Sequence, residues 1–237
     1  MAFPTVVNTA TTDGTTATAS AVINLPASIV AGNLLVALHR SSSAGAHGWP
    51  AGWNVLADST GDASANNTSI AWRKADGAEG ATVTVTQGSS KFASLVYQIS
   101  GAADPLVRPP QISFEATGTS TLPDPGGLSP TGGAKDYLYL WLGGWEGEQT
   151  SPPASNPTNY TNPIGANSGT AGVVTTNVRV ASARRNLNAS SENPSSWTIS
   201  ASDDWTAWAM AVHPADPIIP PPPPSISLQA VHRAASW

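Results

Sequence analysis

Residues 95–114 read LVYQISGAADPLVRPPQISF, and residues 208–228 read WAMAVHPADPIIPPPPPSISL. Both stretches run from an apolar, strand-like segment through an Asp-Pro pair and a proline linker into an Ile-Ser pair. A repeat of this kind is considered first, because a missed repeat leads to the wrong fold. The similarity divides the chain into residues 1–105 and residues 106–216, followed by residues 217–237, which resemble the opening of a third copy.

The order of segments in the first copy returns in the second. The run NLLVALH at residues 33–39 corresponds to DYLYLWL at 136–142, PAGW at 50–53 to PTNY at 157–160, and TVTVT at 82–86 to SWTIS at 196–200. The last strand-like segments also correspond, residues 92–99 to residues 205–212. The difference in number between corresponding residues grows from 136 − 33 = 103 at the first segment to 212 − 99 = 113 at the last. This growth indicates small insertions in loops, where insertions cost least.

Short β-prone segments separated by turn residues fill both copies. Thr82–Thr86 alternates strictly between apolar and hydroxyl side chains, and Leu34–Leu38 is a continuous apolar run typical of a strand buried on both faces. Asp13-Gly14 lies between two β-prone runs and predicts a hairpin. Apolar spacing of three and four residues is not sustained anywhere, so no helix is expected.

The predicted fold class is therefore all-β, with two tandem antiparallel β-sandwich domains of jelly-roll or Greek-key-like type. The first domain covers residues 1–105 and the second, an internal repeat of the first, covers residues 106–216. Residues 217–237 form a proline-rich C-terminal extension.

Composition excludes several classes of function. The 237 residues carry a formal net charge of −5, only 11% are charged, and there is no cysteine, so disulfides and thiolate metal sites are excluded. Lysine and arginine are not clustered, so no nucleic-acid partner is expected. No apolar run has the length of a membrane span, and the N-terminal residues MAFPTVV lack a signal-peptide pattern. We expect synthesis in a cytoplasm without export by the ordinary route, no membrane association and no cofactor.

The C-terminal extension contains five consecutive prolines, which form a stiff polyproline II spacer. Beyond them, residues 225–237 match only the opening strand of a repeat, and a lone strand has unpaired backbone groups. We expect this strand to dock on another chain, by strand addition or along a surface. A disordered end is the alternative. The expected docking residues are Pro220, Pro221, Pro222, Pro223, Pro224, Ile226, Leu228, Val231 and Trp237.

Candidates for catalysis and metal binding are weak. The histidines lack the spacing of metal ligands and are interpreted as strand or surface residues: His39, His47, His213 and His232. Glu146 and Glu148 would share one face of a strand, as paired carboxylates of glycosidases can, but the surrounding glycines favour a loop. Four residues with side-chain oxygens could surround calcium: Asp58, Asp62, Asn66 and Asn67. Their spacing is not that of an EF-hand, so a solvated loop is favoured. The sequence predicts neither an enzyme nor a metal site.

The tryptophans fall into two groups. Those in strand-like segments are predicted to lie in the core: Trp72, Trp141, Trp197 and Trp208. Trp49, Trp53 and Trp145 lie in or beside loops rich in glycine and proline. Exposed aromatic rings in such loops can stack on sugars, or they can fill the hydrophobic base of the loop. A carbohydrate-binding module for cell-surface glycans, with contacts from these three residues, is therefore the alternative function.

The first copy also contains an ordered set of motifs. They are LPASIVAGNLLVA at residues 25–37, PAGWNVL at 50–56, IAWRKADGAE at 70–79, TVTVT at 82–86 and ISGAADP at 99–105. This set resembles a pattern of bacteriophage structural proteins, in which LPAGIxAGDLLLA, PAGWTLL, VWYRVADGSE, TVTVT and SGxDP follow one another. The second copy departs from the pattern, with Asp136-Tyr137-Leu138 and no clear ADG turn.

The resemblance implies a virion structural protein without catalytic activity: a head decoration protein, a head fibre or a minor tail protein. Its partners would be other capsid or tail proteins, bound through the C-terminal extension. The low charge and the hydroxyl-rich strands suit side-by-side packing, so a homo-oligomer on the virion surface is expected.

Overall fold

The computed structural model describes residues 2–59, 66–147, 151–169 and 177–216. These residues form β-strands and loops and contain no helix, so the predicted all-β class is confirmed. No helix in the described ranges has the length and hydropathy that crossing a membrane would require.

The strands form two antiparallel sheets, one from each copy. The first sheet contains β1 (Thr5–Asn24), β2 (Leu34–Ser41), β3 (Asn54–Ser59), β4 (Asn67–Lys74) and β5 (Thr82–Ser100). The second contains β6 (Gln111–Ile112), β7 (Ala116–Ser120), β8 (Lys135–Glu146), β9 (Thr161–Asn167), β10 (Val178–Ala189) and β11 (Asp203–Val212).

The two sheets have the same strand order. The first runs β1-β5-β2-β4-β3, and the second runs β6-β11-β8-β10-β9 with β7 also paired to β11. The short strands β6 and β7 together take the place of β1, while β8 to β11 correspond to β2 to β5. An internal repeat would give one strand order in both sheets, and the duplication itself stays a prediction.

One repeated turn matches in backbone detail. The Trp53 amide donates a hydrogen bond to the Pro50 carbonyl at 3.2 Å, and the Tyr160 amide donates to the Pro157 carbonyl at 3.0 Å. The third residue of each turn has a positive φ, 88° at Gly52 and 66° at Asn159. Glycine and asparagine are the residues that tolerate this conformation best.

The two copies share a single central core, which differs from the expectation of two self-contained sandwiches. Alternate residues of β2 and of β8 point into the space between the sheets and bury completely or nearly so: Leu34, Val36, Leu38, Leu138, Leu140 and Leu142. Trp72 from the first sheet and Trp208 from the second join the same cluster. Each copy therefore contributes one sheet to a common sandwich.

Each sheet also has a smaller core on its outer face. On the first sheet, Ala21, Ile23, Val83 and Val85, from the ends of β1 and β5, cover Ala37 and Val96. On the second sheet, Trp197 and Ile199 lie against tyrosines and Trp141. Both faces of each sheet therefore carry a buried apolar cluster, because a sheet left open on an apolar face would expose it to water.

Asp13-Gly14 is not a hairpin turn, which corrects the prediction. β1 continues through both residues, and pairs with β5 first over Thr5–Gly14 and then, after register shifts, over Thr18–Asn24. A Cβ at Gly14 would overlap the Phe92 ring on the facing strand. The glycine therefore allows close approach of a ring at an irregular point of the ladder, which is the other meaning of glycine in a strand.

The alignment of β2 with β8 was also wrong by one residue. In the sheets, Leu34 pairs with Ile99 and Leu138 pairs with Val212, so Leu34 corresponds to Leu138, an offset of 138 − 34 = 104 rather than 103. Tyr137, the residue that the sequence alignment matched to Leu34, faces the outer core instead. A shift of one residue moves a side chain to the opposite face of the sheet.

Candidate functional site

A buried polar network occupies the outer face of the first sheet. His39 on β2 lies between two residues of β5, with Nδ1 2.7 Å from the Ser94 hydroxyl and Nε2 2.9 Å from Gln87 Oε1. The Gln87 amide donates in turn to the Thr18 carbonyl at 2.9 Å. The network therefore joins β2 to the ribbon formed by the ends of β1 and β5.

His47 extends this network into the loop after β2. Its Nε2 lies 2.7 Å from the Ser41 hydroxyl and its Nδ1 lies 2.8 Å from the Ser69 hydroxyl. The His47 amide donates to Asp58 Oδ2 at 3.1 Å, and the two histidine rings meet edge to face with centroids 4.4 Å apart. Two residues that the sequence treated as separate are therefore in contact.

Burial controls the proton affinity of both rings. It lowers the pKa of His39 to about 4, against a smaller opposing effect of the Gln87 hydrogen bond. It lowers the pKa of His47 to about 2, with His39 and Arg40 adding to the effect. Ser41 Oγ and His47 Nε2 lie within hydrogen-bonding distance, as a catalytic nucleophile and its general base would. Ser41 is fully buried, however, and the lowered pKa makes His47 a poor proton acceptor. The hydrogen bonds of His47 to Ser41, Ser69 and Asp58 hold the loop after β2 in place.

The three tryptophans predicted to lie in or beside loops differ in position and exposure, and Trp145 lies within β8. Trp145 is 0% exposed and belongs to the outer core of the second sheet, so it offers no ring face to a sugar and its predicted glycan contact is wrong. Trp49 and Trp53 are half-buried against the outer core of the first sheet, with ring centroids 5.1 Å apart. The Trp49 indole donates to the Ser69 hydroxyl at 3.1 Å. These two rings fill the base of their loop, the second role considered for them.

The tryptophans predicted to be core residues are confirmed as buried. Trp72 is 6% exposed and the other three are at most 1% exposed: Trp141, Trp197 and Trp208. Trp197 differs from the prediction only in lying outside the named strands. It packs edge to face on Trp141, with ring centroids 5.0 Å apart.

The two Asp-Pro segments meet at one end of the sandwich. The Ala103 amide donates to the His213 carbonyl at 2.9 Å, and the Ala215 amide donates to the Gly101 carbonyl at 2.9 Å. The segments that follow β5 and β11 thus pair with each other. Asp216, the last described residue, accepts a hydrogen bond from Arg108 at 2.6 Å.

This end, which we call the anchor end, is defined by residues 101–108 and 213–216 and carries exposed apolar side chains. Leu106 is 69% exposed and Val107 is 77% exposed, in a turn closed by hydrogen bonds from the Val107 and Arg108 amides to the Asp104 carbonyl. The side-chain hydrogen bond from Lys74, followed by the backbone one from Leu106, lowers the pKa of Asp104. Asp216 therefore lies at this end of the sandwich, near exposed apolar side chains.

Several predicted residues lie outside the described residues. They are Pro220, Pro221, Pro222, Pro223, Pro224, Ile226, Leu228, Val231 and Trp237 of the docking segment, together with His232, Glu148 and Asp62. Of the remaining calcium candidates, Asp58 binds the His47 amide and the Asn67 side chain donates to the Gly45 carbonyl at 2.8 Å. In the described ranges, no group of three acidic, histidine or cysteine residues is placed to hold a metal ion.

A second surface feature lies between the sheets, where β1 faces β9. Two adjoining hollows of about 380 Å³ and 300 Å³ share Val6, Asn162 and Arg184 in their lining, and Tyr97 reaches the larger one. No sequence pattern pointed to this groove, because its walls come from five strands in two sheets.

Comparison with known proteins adds no relative: no family model matches the chain, and no match was found among curated proteins or solved structures.

Proposed function

We propose that the chain is a non-enzymatic structural protein of the bacteriophage virion surface, as a head decoration protein, head fibre or minor tail protein. The sequence motifs of the first copy support this role. The supporting feature of the fold is a helix-free sandwich with three buried cores, in which loops such as that of His47 are held by buried hydrogen bonds. A rigid module of this kind suits a particle that must survive outside the host.

The observation that carries the proposal is the anchor end. The segments that follow β5 and β11 pair there, and Leu106 and Val107 expose apolar surface near Asp216, the residue that precedes residues 217–237. Contiguous exposed apolar side chains mark contact surfaces, and Leu106 and Val107 are adjacent in one turn. We propose that residues 217–237 and this end bind a capsid or tail protein together, with the sandwich projecting outward and packing against copies of itself.

The first test is quantitative mass spectrometry of particles purified from cells that produce this protein. Hundreds of copies per particle would identify a capsid decoration protein, and a few to a few dozen would identify a fibre or tail component. Absence from the particles would contradict the proposal.

The second test removes the docking segment. A chain that ends at Asp216 should keep the thermal midpoint of the full chain, because all three cores lie within residues 2–216, but should be lost from particles. Full-length I226D/L228D keeps the proline spacer and should be lost as well if the terminal strand makes the contact. Incorporation of the truncated chain at the level of the full chain would disprove docking through this segment.

The tryptophan positions do not favour glycan binding through Trp49, Trp53 and Trp145 as a second function. The Trp145 ring is buried, and Trp49 and Trp53 pack on each other and on the outer core of the first sheet.

A further inference from the structure

The groove between β1 and β9 brings together polar groups whose hydrogen-bonding capacity is not fully used by the residues that the structure describes. The guanidinium of Arg184 makes no ion pair and no hydrogen bond to any residue that the structure describes. By contrast, other arginines of the described ranges have carboxylate partners: Arg73 with Asp76 and Glu79, Arg108 with Asp216, and Arg185 with Glu192. A single positive charge thus stands half-buried at the groove without a counter-ion.

Two buried hydroxyls lie beside this charge. Tyr97 is 1% exposed and lines the groove, and its hydroxyl faces the buried Ser182 hydroxyl, which lies two residues before Arg184 on the same face of β10. No other described residue is placed to hydrogen-bond either hydroxyl. A hydrogen bond between the two leaves one O–H group of the pair without an acceptor. Because buried polar groups in native proteins are almost always hydrogen-bonded, an unused O–H donor beside the Arg184 guanidinium indicates a binding site.

The backbone around the groove is irregular on both sides. The pairing of β1 with β5 shifts register between Val6 and Asn8, and the pairing of β10 with β9 shifts between Ser182 and Arg184. Asn162, on the wall formed by β9, has φ of 51°. Bulges redirect side chains and occur often beside functional sites. Here they accompany Arg184, the residue that carries the free charge.

The lining indicates the chemistry of the ligand. One guanidinium and no carboxylate line the two hollows, which favours an anion of a single charge. Asn162 and Asn186 supply amide groups and Thr161 a hydroxyl, whereas Val6 and Ile164 supply apolar surface. Hydroxyl-rich rings with apolar C–H faces and one carboxylate match this mixture, and the hollows have the volume of small-ligand sites.

We propose that this groove binds an acidic saccharide, a uronic acid or a related carboxylate-bearing sugar, with its carboxylate on Arg184 and a ring hydroxyl or carboxylate oxygen on the Tyr97 hydroxyl. The site is separate from the anchor end and from the loop tryptophans. It does not depend on the proposed virion role, since binding is measured on the purified chain without particles.

The experiment is an NMR titration of the isotope-labelled full chain with sodium D-glucuronate. Amide signals of β1, β9 and β10 at the groove should shift with saturation. D-glucose, which lacks the charge, and sodium acetate, which lacks the ring, should each bind at least tenfold more weakly. Acetate that binds as well as glucuronate would overturn the saccharide assignment and identify a simple anion site.

Variants locate the binding. Arg184→Gln should weaken glucuronate binding by about tenfold or more, since a charge-assisted hydrogen bond is lost. Tyr97→Phe keeps the ring in the core and should weaken binding without loss of folding. Lys74→Gln is the matched control, because it removes one positive charge on β4, which is separated from β1 by β5 and β2. Its affinity should equal that of the natural chain.

Two outcomes would refute the proposal. The first is the absence of specific binding at the groove, seen either as no saturable shift with glucuronate or as an affinity for glucuronate that is the same in Arg184→Gln as in the natural chain. The second is tighter binding of N-acetyl-Gly-Gly with a free carboxylate than of glucuronate, which would assign the groove to a peptide C-terminus.

Discussion

His39 and His47 show how tertiary contact changes the chemistry of single residues. Both rings are buried, their hydrogen bonds go to neutral serine and glutamine side chains, and Arg40 is close enough to His47 to oppose its protonation. Asp58 Oδ1 lies 3.7 Å from His47 Nδ1, so one carboxylate also faces the pair. The uncharged forms of both imidazoles are therefore the ones that fit.

Stability should fall as the pH drops from 7 to 5. The pKa of both histidines is lowered from 6.5 in the unfolded chain to about 4 and about 2 in the folded protein, so below pH 6.5 the unfolded state binds more protons. We expect the free energy of unfolding to fall by about 3 kcal/mol for the two histidines together. Urea unfolding at each pH measures this change.

The matched variant is His39→Gln/His47→Gln, which should lose most of this pH dependence while other titrating groups still contribute theirs. Ring-proton NMR gives an independent reading, because both signals should stay at the neutral position down to pH 5. Titration of either ring near pH 6.5 would contradict the burial argument.

At the scale of strands, the central core depends on how β2 lies over β8. A Cβ on Gly144 would lie 2.7 Å from Arg40 Cδ and 2.8 Å from the Arg179 carbonyl oxygen. Gly144 on β8 therefore makes room for the arginine of β2. Arg40 also donates to Thr68 on β4 at 2.7 Å and to Thr206 on β11 at 3.3 Å, so its side chain joins the two sheets.

Gly144→Ala should destabilise the fold by about 1–3 kcal/mol, because the added methyl group overlaps a side chain and a backbone carbonyl in a packed core. Gly45→Ala is the control: the nearest atom to its Cβ is 3.7 Å away, so its effect should be small. Chemical unfolding of the two variants beside the natural chain measures the difference. Equal stabilities for both variants would show that the sheets can separate at this point.

At the scale of the whole molecule, the shared core makes each copy dependent on the other. Residues 1–105 alone would expose Leu34, Val36, Leu38 and Trp72 to water, since these residues pack on the second sheet. The outer core of the first sheet would remain, but a sheet with one open apolar face associates or loses its fixed packing.

We expect residues 1–105 expressed alone to aggregate or to bind a hydrophobic dye, and co-expression with residues 106–216 to restore a soluble one-to-one complex. Size-exclusion chromatography with light scattering distinguishes these states, with the chain ending at Asp216 as the reference. A monomeric fragment 1–105 with cooperative unfolding would instead establish two self-contained tandem domains.

The amino-acid sequence by itself determined the features that depend on local pattern. Alternating and continuous apolar runs predicted the all-β class, and the recurrence of segments predicted two copies of one topology. Turn chemistry at Pro50–Trp53 and Pro157–Tyr160 marked the same turn twice. These features can be predicted from the sequence because strand periodicity and turn preference depend on a few neighbouring residues.

Only the tertiary structure decided which residues meet. Packing of one sheet on the other created the shared core, buried Trp145, and placed Tyr97 of the first sheet beside Arg184 of the second. The sequence predicted a turn at Asp13-Gly14, whereas the structure shows that the glycine leaves room for the Phe92 ring on the facing strand. Such contacts join strands far apart in the chain, and their geometry depends on sheet order and register, which leave no pattern in any local stretch of sequence.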